Sequence, residues 1–295
     1  MMLATLSMSV ALAAGPTANA ELTAAMARRP IAESYAEIGR LAEADVPGAR
    51  AIYDGYGALG LAGNGSDFPA ACRAWETGAE VSAEAAHMTA ECYEHGHGGV
   101  ADLPRAVALY TAAGEGGYAK SLCALGLILM TGKGVTADPV RAAELCRRAA
   151  EMGDADAQTD TGNFYLFGSG VAEDHAEAFR WYSLAAAQRQ RNASFTLAQM
   201  YWNGDTVEKD NDEAVRWWLV AYDAGREDAA LELARAYMVS GVRGRSAADL
   251  DAEALRKSIR WFEIALPQVA AGPERDEAEK HLGLVRRLLA GPEAP

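Results

Sequence analysis

A repeat of 36 residues runs through the middle of this chain of 295 residues and constrains its fold more than any other feature. Several columns of the repeat keep one residue type or class through four consecutive units. The glycine, aspartate and alanine columns are Gly96, Gly132, Gly168 and Gly204; Asp102, Asp138, Asp174 and Asp210; Ala106, Ala142, Ala178 and Ala214. A fixed period of this length is typical of stacked repeats, each of which buries its apolar face only against its neighbours. The sequence therefore predicts a repeat array.

The unit at 155–190 shows the expected local structure most clearly. Residues 157–167 read as a helix, which Gly168 ends because glycine adopts the left-handed turn that follows many helices. Asp174 is placed to accept hydrogen bonds from the first N–H groups of a second helix at 176–188. The second helix has an apolar stripe at three- and four-residue spacing, formed by Ala178, Trp181, Tyr182 and Ala185. Each unit is thus predicted to be a helical hairpin.

This pattern resembles the Sel-1-like repeat family, a relative of the tetratricopeptide repeat. The motif residues of the clearest copy are Thr161-Gly162-Asn163-Phe164-Tyr165, Gly168-Ser169-Gly170-Val171, Asp174, Ala178, Trp181-Tyr182 and Ala185-Ala186. The period of 36 favours this family over the tetratricopeptide repeat, whose period is about 34. The resemblance covers about residues 49–265 and implies an all-α fold. The implied architecture is an α-solenoid of about six antiparallel helix hairpins in a right-handed superhelix with a concave face.

The repeat divides the chain into four segments. Residues 3–14 form an apolar run too short to cross a bilayer, and Ala18-Asn19-Ala20 is an A-x-A cleavage pattern. The run predicts a signal peptide and hence export to the periplasm or cell exterior, although a retained apolar helix or anchor is the alternative. No other stretch approaches transmembrane length. The expected segments are a signal peptide at 1–20, an N-terminal capping helix at 21–48, Sel-1-like repeats at 49–227, and a diverged last repeat with a C-terminal capping helix at 228–295.

The net charge of −14 limits the kinds of partner. Nucleic acids and anionic membranes require a basic face, so the charge argues against both and favours a protein partner with a basic surface. Glu151, Asp154, Asp156 and Asp160 cluster at one junction between hairpins. One interpretation of the cluster is part of an acidic rim that binds a basic partner. The other is a solvated turn in which the acidic residues stand at the N-terminus of a helix.

The four cysteines, Cys72, Cys92, Cys123 and Cys146, fit a disulfide framework in an exported chain. Cys123 and Cys146 lie at equal distances from the turn at 132–134, which places them at one height on antiparallel helices. Cys72 and Cys92 are similarly placed about the break near residue 82. We therefore predict the pairs Cys72–Cys92 and Cys123–Cys146, each closing a loop of about 20 residues and contributing about 3 kcal/mol. Buried free thiols are the alternative.

The segment 87–97 holds three of the five histidines and raises the question of a metal site. The repeat register places Cys92 in a core column and His97 at a variable loop position, and none of these columns prefers a ligand type. His87 and His95 are eight residues apart on one helix, about 12 Å, which is too far to share an ion. Glu91, His95 and His97 form the one realistic ligand set, and we expect no metal and no cofactor.

The resemblance implies a non-enzymatic adaptor, since members are mostly protein-binding scaffolds and several exported bacterial ones act in envelope signalling or assembly. The expected partner contacts are the variable positions Glu91, Asn163 and Gln199 on the first helices of three repeats. The common hydrolase motifs are absent from the sequence. The alternative function is a binding protein or weak hydrolase for cell-wall or β-lactam-type small molecules.

Overall fold

The computed structural model describes residues 17–290 apart from 28–31, 33, 64 and 243–249. Within these residues the fold is all-α and contains no strand, only a single-residue bridge between Thr17 and Ser82. The helices are α1 (Ala20–Ala27), α2 (Tyr35–Glu43), α3 (Ala49–Tyr56), α4 (Phe68–Glu76), α5 (Ala83–His95), α6 (Leu103–Glu115), α7 (Ala119–Thr131), α8 (Pro139–Glu151), α9 (Ala155–Phe167), α10 (His175–Ala187), α11 (Arg191–Asn203), α12 (Asn211–Asp223), α13 (Ala229–Gly241), α14 (Ala252–Ala265) and α15 (Pro273–Ala290), with a π-helical turn at Gly57–Leu61 after α3. None of these helices combines the length and the apolar character that a membrane crossing requires.

Consecutive helices pair into hairpins, as predicted. The chain divides into two compact units, residues 1–152 and 153–295. The first unit contains the hairpins α3–α4, α5–α6 and α7–α8, and the second contains α9–α10, α11–α12 and α13–α14. The six hairpins match the number expected from the repeat, and α15 packs on α14 after the last of them.

The conserved glycine and aspartate columns set the boundaries of the helices. The four column glycines follow α5, α7, α9 and α11 with left-handed φ values of 71°, 66°, 63° and 78°, at Gly96, Gly132, Gly168 and Gly204. The aspartates then start the second helices by accepting hydrogen bonds from backbone N–H groups, at Asp102, Asp138, Asp174 and Asp210. Each repeat therefore carries its own stop and start signal, and this part of the prediction is confirmed.

The alanine and aromatic columns form the core of the hairpins. All four column alanines are fully buried, at Ala106, Ala142, Ala178 and Ala214. The residues four positions after these alanines are at most 1% exposed, and three of them are aromatic: Tyr110, Cys146, Tyr182 and Trp218. The helices approach closely at Gly162, where an added Cβ would lie 2.8 Å from the Tyr182 ring. Small residues on one helix thus make room for large ones on the next.

The N-terminal end differs from the single capping helix expected at 21–48. In the described residues of this range, α1 ends at Ala27 and α2 begins as a separate helix at Tyr35. Asn19 caps α1 by accepting hydrogen bonds from the N–H groups of Glu21 and Leu22. The Asn19 N–H in turn donates to Oε1 of the fully buried Glu84 at 2.8 Å. Most of the expected signal peptide, residues 1–16, lies outside the described part of the chain.

Candidate functional site

Two disulfides connect helices of the first unit, with the pairing expected from the sequence. Cys72 on α4 joins Cys92 on α5, and Cys123 on α7 joins Cys146 on α8. The closed loops span 20 and 23 residues. All four cysteines are therefore oxidised in this structure, which is compatible with an exported protein, since such bonds persist in oxidising compartments.

A buried histidine links the first helices of two repeats in the same unit. His87 on α5 is 6% exposed and lies between the rings of Tyr110 and Tyr118, with centroid distances of 5.3 and 5.0 Å. Its Nδ1 is 3.0 Å from Ser121 Oγ on α7, and its Nε2 is 3.5 Å from Glu91 Oε1. Burial alone would raise the pKa of Glu91, but the hydrogen bond and charge of His87 outweigh it and lower that pKa.

The serine, histidine and carboxylate just described have the composition of a catalytic triad but not its accessibility. Ser121 is fully buried, so its hydroxyl has no open path to a substrate. Sequence inspection missed the Ser121–His87 contact because 34 residues separate the pair. The 36-residue register aligns His87 with Cys123 and therefore does not indicate this contact either. The contact holds two repeats together.

A second polar chain continues from α6 toward the loop after α7. The Tyr110 hydroxyl donates to Glu94 Oε2 at 3.0 Å, and Lys133 Nζ donates to Glu94 Oε1 at 3.3 Å. Burial, together with the charges of Glu91 and Glu94, raises the pKa of Tyr110, so its hydroxyl remains a donor at neutral pH. Glu94 is thereby fixed between two repeats.

The possible metal ligands Glu91, His95 and His97 do not converge on one point. The Glu91 carboxylate faces His87, while His95 Nδ1 lies 3.0 Å from the main-chain oxygen of Glu91. The His97 ring packs at 5.4 Å from the ring of His95 and at 5.0 Å from that of Phe68. Within the described parts of the chain, no group of three or more histidine, cysteine, aspartate or glutamate side chains is arranged to hold a metal ion.

The three predicted partner positions differ in how their side chains are used. Glu91 is half-buried and pairs with His87. Asn163 accepts a hydrogen bond from the Tyr182 hydroxyl at 2.8 Å and also bonds Asp160. Gln199 on α11 is exposed. Of the three, Gln199 has the exposure that a contact residue needs.

The second unit adds an exposed aromatic residue that the sequence analysis did not select. Phe167, the last residue of α9, is 70% exposed. The N-terminal ends of α9 and α11 are joined by a hydrogen bond from Gln190 Nε2 to Asp156 Oδ1 at 3.2 Å. The first helices of these neighbouring repeats therefore meet at their N-terminal ends, and they carry Phe167 on α9 and Gln199 on α11.

Asp160 on α9 is an ionisable group with an unusual proton affinity. Burial and the charge of Asp156 raise its pKa to about 6, against the opposing effect of its hydrogen bond with Asn163. Burial, together with the charge of Asp160, raises the pKa of Tyr182. Asp160, Asn163 and Tyr182 thus form one polar contact between the two helices of a hairpin.

Comparison with known proteins identifies the repeat. The model of the Sel1 repeat matches four segments of the chain, 83–118, 119–154, 155–189 and 192–225. Each segment spans one first helix and the second helix that follows it. No curated protein matches the sequence.

Two solved structures share this fold. A Sel1 repeat protein from Oxalobacter formigenes is 24% identical with a TM-score of 0.66, and the alignment covers 80% of this chain and 100% of that one. The protective antigen c5321 of uropathogenic Escherichia coli, which has an SLR fold, is 23% identical with a TM-score of 0.59 over 85% of this chain and 59% of that one. The four matched repeats, residues 83–225, belong to the Sel1 repeat family.

Proposed function

We propose that this protein is a non-enzymatic adaptor, exported to the periplasm or cell exterior, that binds a protein partner and regulates envelope signalling or assembly. Sel1 repeat proteins are generally scaffolds for protein–protein interaction. The observation that carries the proposal for this chain is the pair of exposed residues Phe167 and Gln199 on adjacent first helices of well-packed repeats. A rigid helical surface with one large exposed apolar side chain suits the docking of a helical or extended segment.

Charge indicates the chemistry of the partner. The chain has a net charge of −14, and the loops beside this surface carry exposed acidic residues such as Glu173 and Asp205. A partner segment that combines an apolar anchor for Phe167 with flanking lysine or arginine would be complementary. The acidic surroundings would chiefly increase the rate of association, which falls as salt is added.

Export is supported by two independent features. The chain contains an apolar run at 3–14, and its four cysteines form two disulfides. Disulfides that stabilise folded proteins persist mainly outside the cytosol.

Photocrosslinking in the native cell tests the adaptor function. A crosslinking amino acid at position 199 or 167 should capture the same partner, recovered from the envelope fraction. The matched control is position 184 on α10, where Leu184 is exposed but lies on a second helix. Capture from 199 and 167 but not from 184 supports the proposal. No capture at any position, or equal capture from 184, contradicts it.

The alternative function as a β-lactam-type binder or hydrolase is supported by one observation, the contact of Ser121 with His87. Nitrocefin turnover provides the test. We expect none, because Ser121 is fully buried. Measurable turnover that is lost in Ser121→Ala would replace the adaptor function with an enzymatic one.

A further inference from the structure

The Cys72–Cys92 disulfide forms part of the wall of a surface cavity. The cavity has a volume of about 140 Å³ and lies between α4, α5 and the loop that follows α5. Its lining includes Arg73, Thr89 and Tyr93 beside the two cysteines. The rim is formed by the exposed residues Gly98, Gly99 and Val100, of which Val100 is 90% exposed. A small molecule can therefore enter from solvent beside this bond.

The second disulfide is enclosed by packed helices. Cys146 is fully buried and Cys123 is 5% exposed, against 7% for Cys72 and 6% for Cys92. The Sγ of Cys146 lies 3.5 Å from the main-chain oxygen of Cys123. Gly126 on α7 packs so closely that an added Cβ would lie 2.8 Å from the Ala142 oxygen and 3.0 Å from Cys146 Sγ. The two bonds thus share a redox state, and what distinguishes Cys72–Cys92 is the open cavity that it borders.

From this difference we propose that Cys72–Cys92 is a thiol-exchange site, which a dithiol reductant opens in the folded protein while Cys123–Cys146 stays closed. One thiolate of the reductant attacks one cysteine sulfur, forms a mixed disulfide and expels the other cysteine as a thiolate. The second thiol of the reductant then attacks the mixed disulfide. The products are two protein thiols, which take up the two protons of the dithiol, and the oxidised, cyclic reductant. Arg73 and Glu76 both line the cavity, so side chains of both charges border it beside this bond.

Opening this bond would release a defined segment. The bond ties α4 to α5, and the loop after α5 lies directly against it, because an added Cβ at Gly98 would be 2.9 Å from Cys72 Cβ. The same loop contacts the start of α4 through His97 and Phe68. Reduction therefore should loosen α4 and the loop at 96–101, and leave the helices from α7 onward in place.

Timed alkylation tests the order of reduction. The folded full-length protein is incubated with dithiothreitol without denaturant, quenched with N-ethylmaleimide and mapped by peptide mass. We expect a species with two labels, at Cys72 and Cys92, which forms at least about tenfold faster than any label at Cys123 or Cys146. Simultaneous labelling of all four, earlier labelling of Cys123 and Cys146, or no labelling would overturn the proposal.

Two paired variants separate access from general unfolding. Cys123→Ala with Cys146→Ala should still label at the wild-type rate, whereas Cys72→Ala with Cys92→Ala should not label until denaturant is added. Hydrogen exchange supplies a second measurement on the latter variant. We expect faster exchange in peptides covering 68–76 and 96–101 and unchanged exchange in 119–131. Faster exchange throughout the first unit would mean that the bond stabilises the unit as a whole and is no local switch.

Discussion

At the scale of single residues, Asp160 gives the protein a specific pH response. Its pKa is raised from 3.8 to about 6 in the folded state, so the folded protein binds this proton more tightly than the unfolded chain does. The free energy of unfolding should therefore fall as the pH rises from about 4 to about 6, and this contribution should be level above that range. The Asp160→Asn substitution removes the charge and should stabilise the protein at pH 7 by about 1–2 kcal/mol.

Urea unfolding at a series of pH values measures this effect as a difference between variant and wild type. Other carboxylates titrate in both proteins and cancel in that difference. Asp205→Asn is the matched control, because Asp205 is an exposed loop aspartate. As a surface substitution it should change the free energy of unfolding at pH 7 by less than about 0.5 kcal/mol. If Asp160→Asn kept the wild-type slope between pH 4 and 6, the burial of Asp160 would not have the consequence assigned to it.

At the scale of helices, close packing at Gly162 should matter more than helix propensity. Gly162→Ala places a Cβ 2.8–3.0 Å from three ring atoms of Tyr182, whose ring is itself fully buried. Overpacking of this kind costs about 1–3 kcal/mol, which exceeds the gain of about 0.5–1 kcal/mol expected from replacing a helical glycine by alanine. We expect a net loss of stability in thermal or urea unfolding.

Gly283→Ala on α15 is the corresponding control. Gly283 also lies inside a helix, but the only neighbour of an added Cβ is the end of the Arg287 side chain at 3.7 Å. That substitution should be neutral or stabilising by up to about 1 kcal/mol. The same sign for both variants would show that contact with Tyr182 does not decide the outcome.

The hairpins could be predicted from the sequence because each repeat carries its own local signals. Gly168 ends one helix and Asp174 starts the next through contacts within a few residues, and four copies repeat the same signals. The structure adds contacts that depend on tertiary placement. Glu84 is fully buried and binds Asn19 and Thr23, more than 60 residues away. Nothing local in the sequence marks that glutamate as a core residue, since glutamate near a helix N-terminus ordinarily faces solvent.

The candidate site shows the same division between local and distant information. The alignment of repeats identified Cys92 as a core residue and supported its pairing with Cys72. It could not show that Asn163 accepts a hydrogen bond from Tyr182 and bonds Asp160, because an alignment of repeats compares equivalent positions and does not give the contacts within one hairpin. Gln199 and Phe167 are both exposed in the structure. The sequence alone therefore did not determine which candidate contact residues are exposed to solvent.

At the scale of the whole molecule, the distribution of cysteines predicts that reduction will affect the two units differently. All four cysteines precede residue 153, so both disulfides stabilise the first unit and the second unit has none. Each loop is worth about 3 kcal/mol, a large part of the stability of a small domain. In moderate urea with dithiothreitol, where both bonds are reduced, amides of α5–α8 should lose protection from hydrogen exchange while those of α9–α13 keep it.

The variant with all four cysteines replaced by alanine should exchange identically with and without reductant. Equal loss of protection on both sides of residue 153 would instead mean that the repeats unfold as one cooperative array, as stacked repeats can when the coupling between neighbours is strong.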